Sequence, residues 1–266
     1  MKKTAFLITL VMLFFALFHI FVLHDNGEFV EGDLYDEIMS RGKIKIGVSN
    51  EARPFAYTNE KGELVGYDVD LAKYIAQYIV KNREAAEIIP IDSSDRLIKA
   101  STGEVDIVIS TLTITPQRQE LVSFSIPYDV AGQAVMVRSN SVIRSMADLN
   151  GQIVGVVFGT TAEKNMPDLV PTANLRGFKT YKEAYQALKA GHINAITSDD
   201  TILCGIAFND KDVKVLPKRY SREPYGIAFK KGDSTVKLKE HLDFAIEDLH
   251  QKNVIPRLRK HWKVGV

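Results

Sequence analysis

The chain carries one cysteine, Cys204, among 266 residues. An intrachain disulfide is therefore excluded, and so is a metal site built from several thiolates. An excess of one charge is also missing, since 34 Lys and Arg face 33 Asp and Glu. Binding nucleic acid takes a concentrated basic surface that neutralises phosphates, and no Lys/Arg cluster here is long, so no nucleic-acid partner is expected. The six histidines are scattered, with no pair at metal-ligand spacing, which argues against a metal site. Gly151, Gly155 and Gly159 have the wrong spacing for a dinucleotide fingerprint and read as strand ends. No cofactor is expected. There is no repeat at a fixed period and no low-complexity tract.

What the sequence does contain begins with an apolar run. Lys2 and Lys3 precede residues 4–23, which hold no Asp, Glu, Lys or Arg. At about 1.5 Å per residue such a helix spans roughly the 30 Å of a bilayer core. A cleavable signal has a shorter apolar region, about 7 to 15 residues, and ends on a small-x-small site. The exit here, Phe18-His19-Ile20-Phe21-Val22-Leu23-His24, has no small pair. Residues 1–24 thus read as an uncleaved membrane anchor, with a cleaved signal as the alternative. No cysteine directly follows the run, which excludes a lipoprotein anchor. The leading lysines keep the amino end in the cytoplasm and send the remainder outward. Residues 25–33, dominated by Asp, Asn, Gly and Glu, read as a solvated linker. The expected location is periplasmic or otherwise extracytoplasmic, with inner-membrane anchoring if residues 4–23 stay uncut. Cys204, among Ile202, Leu203 and Ile206, reads as a core thiol.

Beyond the linker, strand and helix patterns alternate. Lys43-Ile44-Lys45-Ile46-Gly47-Val48 alternates as a half-buried strand does, and Asp68 opens a helix that aligns Leu71, Ile75 and Ile79. Short Val- and Ile-rich runs at 105–109, 134–137, 153–157 and 195–196 are separated by helical stretches. Residues 181–190 are one such stretch, and residues 236–262 read as one or two amphipathic helices. The pattern predicts an α/β fold with mostly parallel sheets flanked by helices.

Open α/β sheets bind ligands beyond the carboxyl ends of their strands. After the run at 105–109 comes Ser110-Thr111-Leu112-Thr113-Ile114-Thr115-Pro116-Gln117-Arg118. Thr115 suits an N-cap and Pro116 the first helical position, which puts Arg118 in the first turn. A cation there opposes the helix dipole. A bound carboxylate would compensate it through a bidentate pair, with Thr113 completing the hydrogen bonds. Pairing of Arg118 with Glu120 or another surface acid is the alternative.

Four blocks resemble the family 3 extracellular solute-binding proteins, the amino-acid receptors of ABC importers. They are Gly66-Tyr67-Asp68-Val69-Asp70-Leu71-Ala72, then Val105-Asp106 leading through Thr111 to Arg118, then Phe124-Ser125-Ile126-Pro127-Tyr128, and Tyr225-Gly226-Ile227-Ala228-Phe229. They stand in the family's order between Leu34 and Trp262. The resemblance implies a two-lobe periplasmic-binding-protein fold of type II with the ligand cleft between the lobes. Lobe 1 would comprise residues 34–127 plus 225–266, and lobe 2 residues 128–224, hinge crossings included. It also implies an extracytoplasmic, monomeric receptor whose partners are a free amino acid and the importer's membrane subunits.

Carried over by position, the resemblance gives Arg118 the ligand α-carboxylate, with Ser110 beside it and the Thr111 and Thr113 backbones meeting the amino and carboxylate groups. Thr160 and Thr161 correspond to the second lobe's ligand loop, for which an ordinary turn is the alternative. Asp199 corresponds to the acid that pairs with the α-ammonium, unless it is a helix N-cap. Arg96 stands where acid-binding members carry a side-chain arginine, which favours glutamate or aspartate; a surface pair with Asp92 or Asp95 is the alternative. Glu51 would repel an acidic ligand if it faced the cleft, so a neutral ligand such as glutamine stays open. A cyclohexadienyl-dehydratase-like enzyme on the same fold is a further alternative, with Glu51 as the acid, although no catalysis is expected. Phe55 or Tyr57 would supply ligand stacking, with a core position as the alternative for Phe55, and Trp262 reads as a C-terminal packing anchor. On these assignments Arg118→Ala abolishes binding of every amino acid, whereas Arg96→Ala impairs acidic ligands selectively; titration calorimetry of both variants checks this.

Overall fold

The strand foreseen at residues 43–48 spans Ile44–Ser49 and is buried at every position but Lys45. Its position explains that burial: Ala86–Ile91 pairs with it in parallel on one side and Ile107–Val108 on the other. A central parallel strand is covered on both faces. The full order of this sheet is Ala86–Ile91, Ile44–Ser49, Ile107–Val108, Ala228–Lys230, Val122–Phe124, with Ala228–Lys230 antiparallel to both neighbours. This computed structural model describes residues 32–265. The anchor read at residues 1–24 and residues 25–31 of the linker lie outside the described residues. Among the described residues, no helix is long and apolar enough to cross a membrane.

A second sheet has the order Asn174–Phe178, Ile153–Val157, Ala195–Asp199, Gln133–Arg138, Val213–Val215. Its first three strands are parallel, whereas Gln133–Arg138 runs antiparallel to both of its neighbours. The run at 134–137 showed a buried strand but not its direction, because apolar periodicity carries no polarity. Two short strands join the sheets. Leaving the first sheet after Val122–Phe124, the chain passes through Asp129–Ala131 into the second. It returns through Glu223–Tyr225, and these two crossings pair with each other, Ala131 opposite Glu223 and Asp129 opposite Tyr225.

Helices cover the sheets with the apolar faces read from the sequence. Tyr67–Ile79 buries Val69, Leu71, Ala72, Ile75 and Ile79. Tyr181–Lys189 starts with a reciprocal capping box between Thr180 and Glu183 and buries Ala184, Ala187 and Leu188. The C-terminal segment forms two helices, Val236–Gln251 and Val254–His261. Trp262 follows them and donates its indole N–H to Asp70 at 2.8 Å, tying the chain end to the helix Tyr67–Ile79. Cys204 departs from expectation: it is only partly buried, on the helix Asp200–Ala207, because its apolar neighbours in sequence occupy the buried face instead. Partial burial raises its thiol pKa.

A three-stranded sheet of very short strands, Glu51–Ala52, Ala56–Thr58 and Leu64–Val65, leads into the helix Tyr67–Ile79. Gly66 makes that turn, with φ +142°, and a β-carbon there would lie 2.1 Å from the Phe55 carbonyl oxygen. The close approach lets the Tyr67 N–H reach the Pro54 carbonyl and the Asp68 N–H reach that of Phe55. Gly66→Ala therefore meets both a disfavoured backbone and a backbone collision. It should cost more than about 2 kcal/mol, seen as a lowered midpoint in urea unfolding followed by circular dichroism.

Candidate functional site

The carboxyl ends of Ile44–Ser49 and Ile107–Val108 meet where the Ser49 N–H donates to the Ser110 hydroxyl at 3.2 Å. From there the chain turns sharply at Thr111, whose φ of +45° is unusual for a residue with a β-carbon. Asp68 sustains the turn. Fully buried at the start of its helix, it accepts the Thr111 N–H at 3.1 Å and the Tyr128 hydroxyl at 3.2 Å. Burial pushes the Asp68 carboxyl up to about 7, against the pull of those two hydrogen bonds. The Thr111 N–H is thereby engaged inside the protein, and its carbonyl faces Arg96 at 3.5 Å.

Thr115 caps the short helix Pro116–Gln119 by accepting the Arg118 N–H, as the spacing predicts. The Arg118 side chain turns inward and is only 3% exposed. It donates to the Thr113 carbonyl at 2.8 Å and to the Gly159 carbonyl at 3.0 Å. The misplaced first-turn cation is thus met by two backbone oxygens, and Arg118 is no surface residue. Burial and the neighbouring Arg96 lower its pKa to about 10.

Arg96 is equally buried, at 4% exposure, instead of pairing on the surface with Asp92 or Asp95. It donates to the carbonyls of Ser93 at 2.8 Å, Ser110 at 2.9 Å and Gly159 at 3.0 Å. With the longer contact to Thr111, most of its five donors are engaged. Gly159, which follows the strand Ile153–Val157 of the second sheet, thus accepts from two guanidinium groups of the first, while its own N–H donates to Glu163 at 2.8 Å.

Thr160 is the N-cap of the helix Thr161–Leu169: its hydroxyl accepts the Glu163 N–H at 3.2 Å and donates to the Val157 carbonyl at 2.7 Å. That leaves Thr161 at the helix's first position, where a backbone N–H has no intrahelical acceptor. Asp199 holds the N-cap position of Asp200–Ala207 without capping it. Its carboxylate instead accepts the Tyr225 hydroxyl at 2.5 Å. Burial and the nearby Glu223 push Asp199 up to about 7, opposed by the Tyr225 hydrogen bond and Arg96. Its neighbour Asp200 accepts the Gly132 N–H and pairs with Arg219.

Tyr67, Tyr128 and Tyr225 stand inside the sequence motifs with nothing there to mark a role for them. They are fully buried and stack or tilt against one another, and Tyr67 and Tyr225 meet Phe55 edge-on. Phe55 is therefore core. Tyr57 lies under the Arg53 guanidinium at 3.9 Å, outside this cluster. Tyr181 was also missed. Its hydroxyl bonds Ser198 at 2.8 Å, and burial together with Asp199 pushes it up to about 12. Tyr181 also lines a cavity of about 470 Å³ with Asn50, Glu51, Arg53, Lys182 and Gly205. Burial and Asp92 raise the Glu51 pKa, and the Asn50 Oδ1 is buried with no hydrogen-bond donor among the described residues.

Two helix-flanked sheets joined by a paired double crossing, with buried cations and a buried carboxylate at the strand ends, define a two-lobe binding protein of the type II periplasmic fold. The model for bacterial extracellular solute-binding proteins, family 3, matches residues 44–265, and the chain belongs to that family. Membership places it outside the cytoplasm. It is 34% identical to the ABC transporter glutamine-binding protein GlnH of Bacillus subtilis over 86% of this chain and 84% of that one. It is 38% identical to the glutamine-binding protein of Geobacillus stearothermophilus over 72% and 74%. Among solved structures, an ancestral arginine-binding protein bound to glutamine superposes with a TM-score of 0.77 at 34% identity, covering 84% of this chain and 98% of that one.

A cation pairs with Asp199 only when the carboxyl is ionised, and below about pH 7 that requires release of a proton. Affinity for a ligand that presents an ammonium group to Asp199 should therefore fall as pH drops from 7 to 5, by up to about tenfold per unit. Calorimetric titration across that range checks this, and Asp199→Asn should flatten the dependence.

Proposed function

We propose that the chain is a monomeric receptor that closes two lobes on a free amino acid, glutamine in particular, and presents the closed form to the membrane subunits of an ABC importer. Lobe 1 is residues 34–127 with 225–266, and lobe 2 is residues 128–224. Arg118 takes the α-carboxylate with the N–H groups left free by Thr113 and Gly159, aided by the Thr161 backbone. Asp199 takes the α-ammonium, together with the carbonyl side of Thr111. Thr160 and Ser110 act by holding Thr161 and the Arg96 carbonyl partners in place. Closure then buries two opposite ligand charges with both partnered, which avoids the penalty of an unpaired buried ion. A ligand touching both lobes only when they meet has the differential affinity that shifts an open form to a closed one.

The observation that carries glutamine over glutamate is the pair Asn50 and Glu51. Asn50, whose side-chain oxygen is buried without a donor among the described residues, and Glu51, whose pKa is raised, both belong to the lining of one cavity. A side-chain amide donates to Glu51, and to Asn50 once its side chain turns to the cavity, whereas a carboxylate has nothing to donate and repels Glu51. Arg96, with most of its donors on backbone carbonyls, acts as a strut instead of as an acid-recognising residue. The names of the two relatives, both glutamine-binding, support the same choice. Glu51 is also the acid that a dehydratase-like reaction would use, so prephenate belongs in the test.

Thermal unfolding of the protein with glutamine, glutamate, arginine and prephenate separates these readings. At about 100 times its dissociation constant a ligand adds about 2.7 kcal/mol, and the midpoint rises by roughly 5 to 10 °C. Glutamine should produce that rise and glutamate little. A larger shift with glutamate would restore Arg96 as its partner; a shift with prephenate alone would favour the enzyme. Arg96→Ala should weaken glutamine and glutamate alike, in place of the selective loss the sequence suggests.

A further inference from the structure

Gly205 lies inside the helix Asp200–Ala207, where glycine is less favourable than alanine by about 1 kcal/mol. Its surroundings give a reason for it. A β-carbon at Gly205 would lie 2.5 Å from the Arg53 carbonyl oxygen, 2.5 Å from Pro54 Cδ and 2.7 Å from the Arg53 carbonyl carbon. Those three nearest atoms all belong to the loop between Glu51–Ala52 and Ala56–Thr58, on the other side of the cleft. A matching contact is made by Gly159, where a β-carbon would lie 2.7 Å from the Ser93 carbonyl oxygen. The two sides therefore meet backbone to backbone at two places. Gly159 accepts from Arg96 and Arg118 and sits in a turn at φ +77°, whereas the atoms nearest a β-carbon at Gly205 are the Arg53 backbone and Pro54 Cδ, which makes it the simpler probe of closeness.

We propose that Gly205 is a positioning residue that sets how far the cleft closes, and with it how long a ligand stays bound. The inference rests on the reading of 34–127 with 225–266 and 128–224 as closing lobes. With a methyl group at 205, the helix Asp200–Ala207 meets Arg53 and Pro54 before Gly159 reaches Arg96 and Arg118. Contacts made by one lobe alone survive, so ligand still enters; contacts completed by closure are lost, so it leaves faster. The chain's single tryptophan, Trp262, lines a cavity of about 240 Å³ with Gly205, Pro54 and Phe208, and its fluorescence reports on this contact.

The experiment compares the full-length chain with Gly205→Ala by stopped-flow Trp262 fluorescence, using whichever of glutamine, glutamate or arginine stabilises the unsubstituted protein most. The dissociation rate constant should rise tenfold or more while the association rate constant changes less than threefold. The ligand-free midpoint should stay within about 2 °C, because alanine favours the helix. The double variant with Pro54→Ala, which removes the colliding Cδ, should recover part of the lost affinity. An unchanged dissociation rate overturns the proposal, and so does a slowed association that accounts for the whole loss. If none of the three amino acids binds the unsubstituted protein, the receptor reading fails by itself. Acrylamide quenching of Trp262 then decides on Gly205: stronger quenching in the variant supports the contact, equal quenching refutes it.

Discussion

Two buried guanidinium groups converge on one carbonyl oxygen, that of Gly159, and the architecture of the cleft follows from making this tolerable. Burial first, and the like charge of Arg96 second, lower the readiness of Arg118 to hold its proton. Backbone dipoles and carboxylates must offset them. Thr113, Ser110 and Ser93 turn their carbonyls inward. Asp199 and Glu223 supply negative charge nearby. Glu163 holds Gly159 by accepting its N–H, while the carbonyl of the following peptide unit turns its oxygen to both cations. That orientation also makes Thr160 a cap and leaves Thr161 at the open end of a helix.

Around this charged centre sits a shell of phenols. Tyr128, Tyr225 and Tyr181 each direct a hydroxyl at a polar partner while their rings fill the core between the sheets. Aromatic residues suit that border because one end is apolar and the other forms hydrogen bonds. Tyr225 has the widest reach. It belongs to the crossing strand Glu223–Tyr225, bridges to Thr113, and donates to Asp199. A change in the ionisation of Asp199 is therefore felt directly at the crossing strand.

Much of this was legible in the order of residues. The alternation at 43–48, the helix aligned on Leu71, Ile75 and Ile79, and the Thr115-Pro116 start before Arg118 each encode local geometry in a fixed period or a cap, and the structure follows them. Arg96 and Asp199 were visible as candidates, but not what they touch, because both are decided by segments distant in sequence: Gly159 for one and Tyr225 for the other. The antiparallel direction of Gln133–Arg138 and the existence of the two-residue strand Glu51–Ala52 escaped for related reasons. Direction is not written in periodicity, and two residues are too few to show a period. The glycines that matter most, Gly159 and Gly205, have no side chain to signal their role. Only the atoms opposite reveal it.

The paired crossings have a consequence for how such a protein diversifies. Because Asp129–Ala131 and Glu223–Tyr225 lie side by side in one ribbon, the stretch from Gln133 to Ser221 enters and leaves its neighbour at almost the same point. A segment whose ends are adjacent can be lifted out and replaced while the remainder keeps its own sheet and its terminal helices. Thr161 and Asp199 travel on that segment, and Arg118 stays behind. Recombination at a single ribbon would thus exchange one side of the cleft while the other keeps its own buried cations.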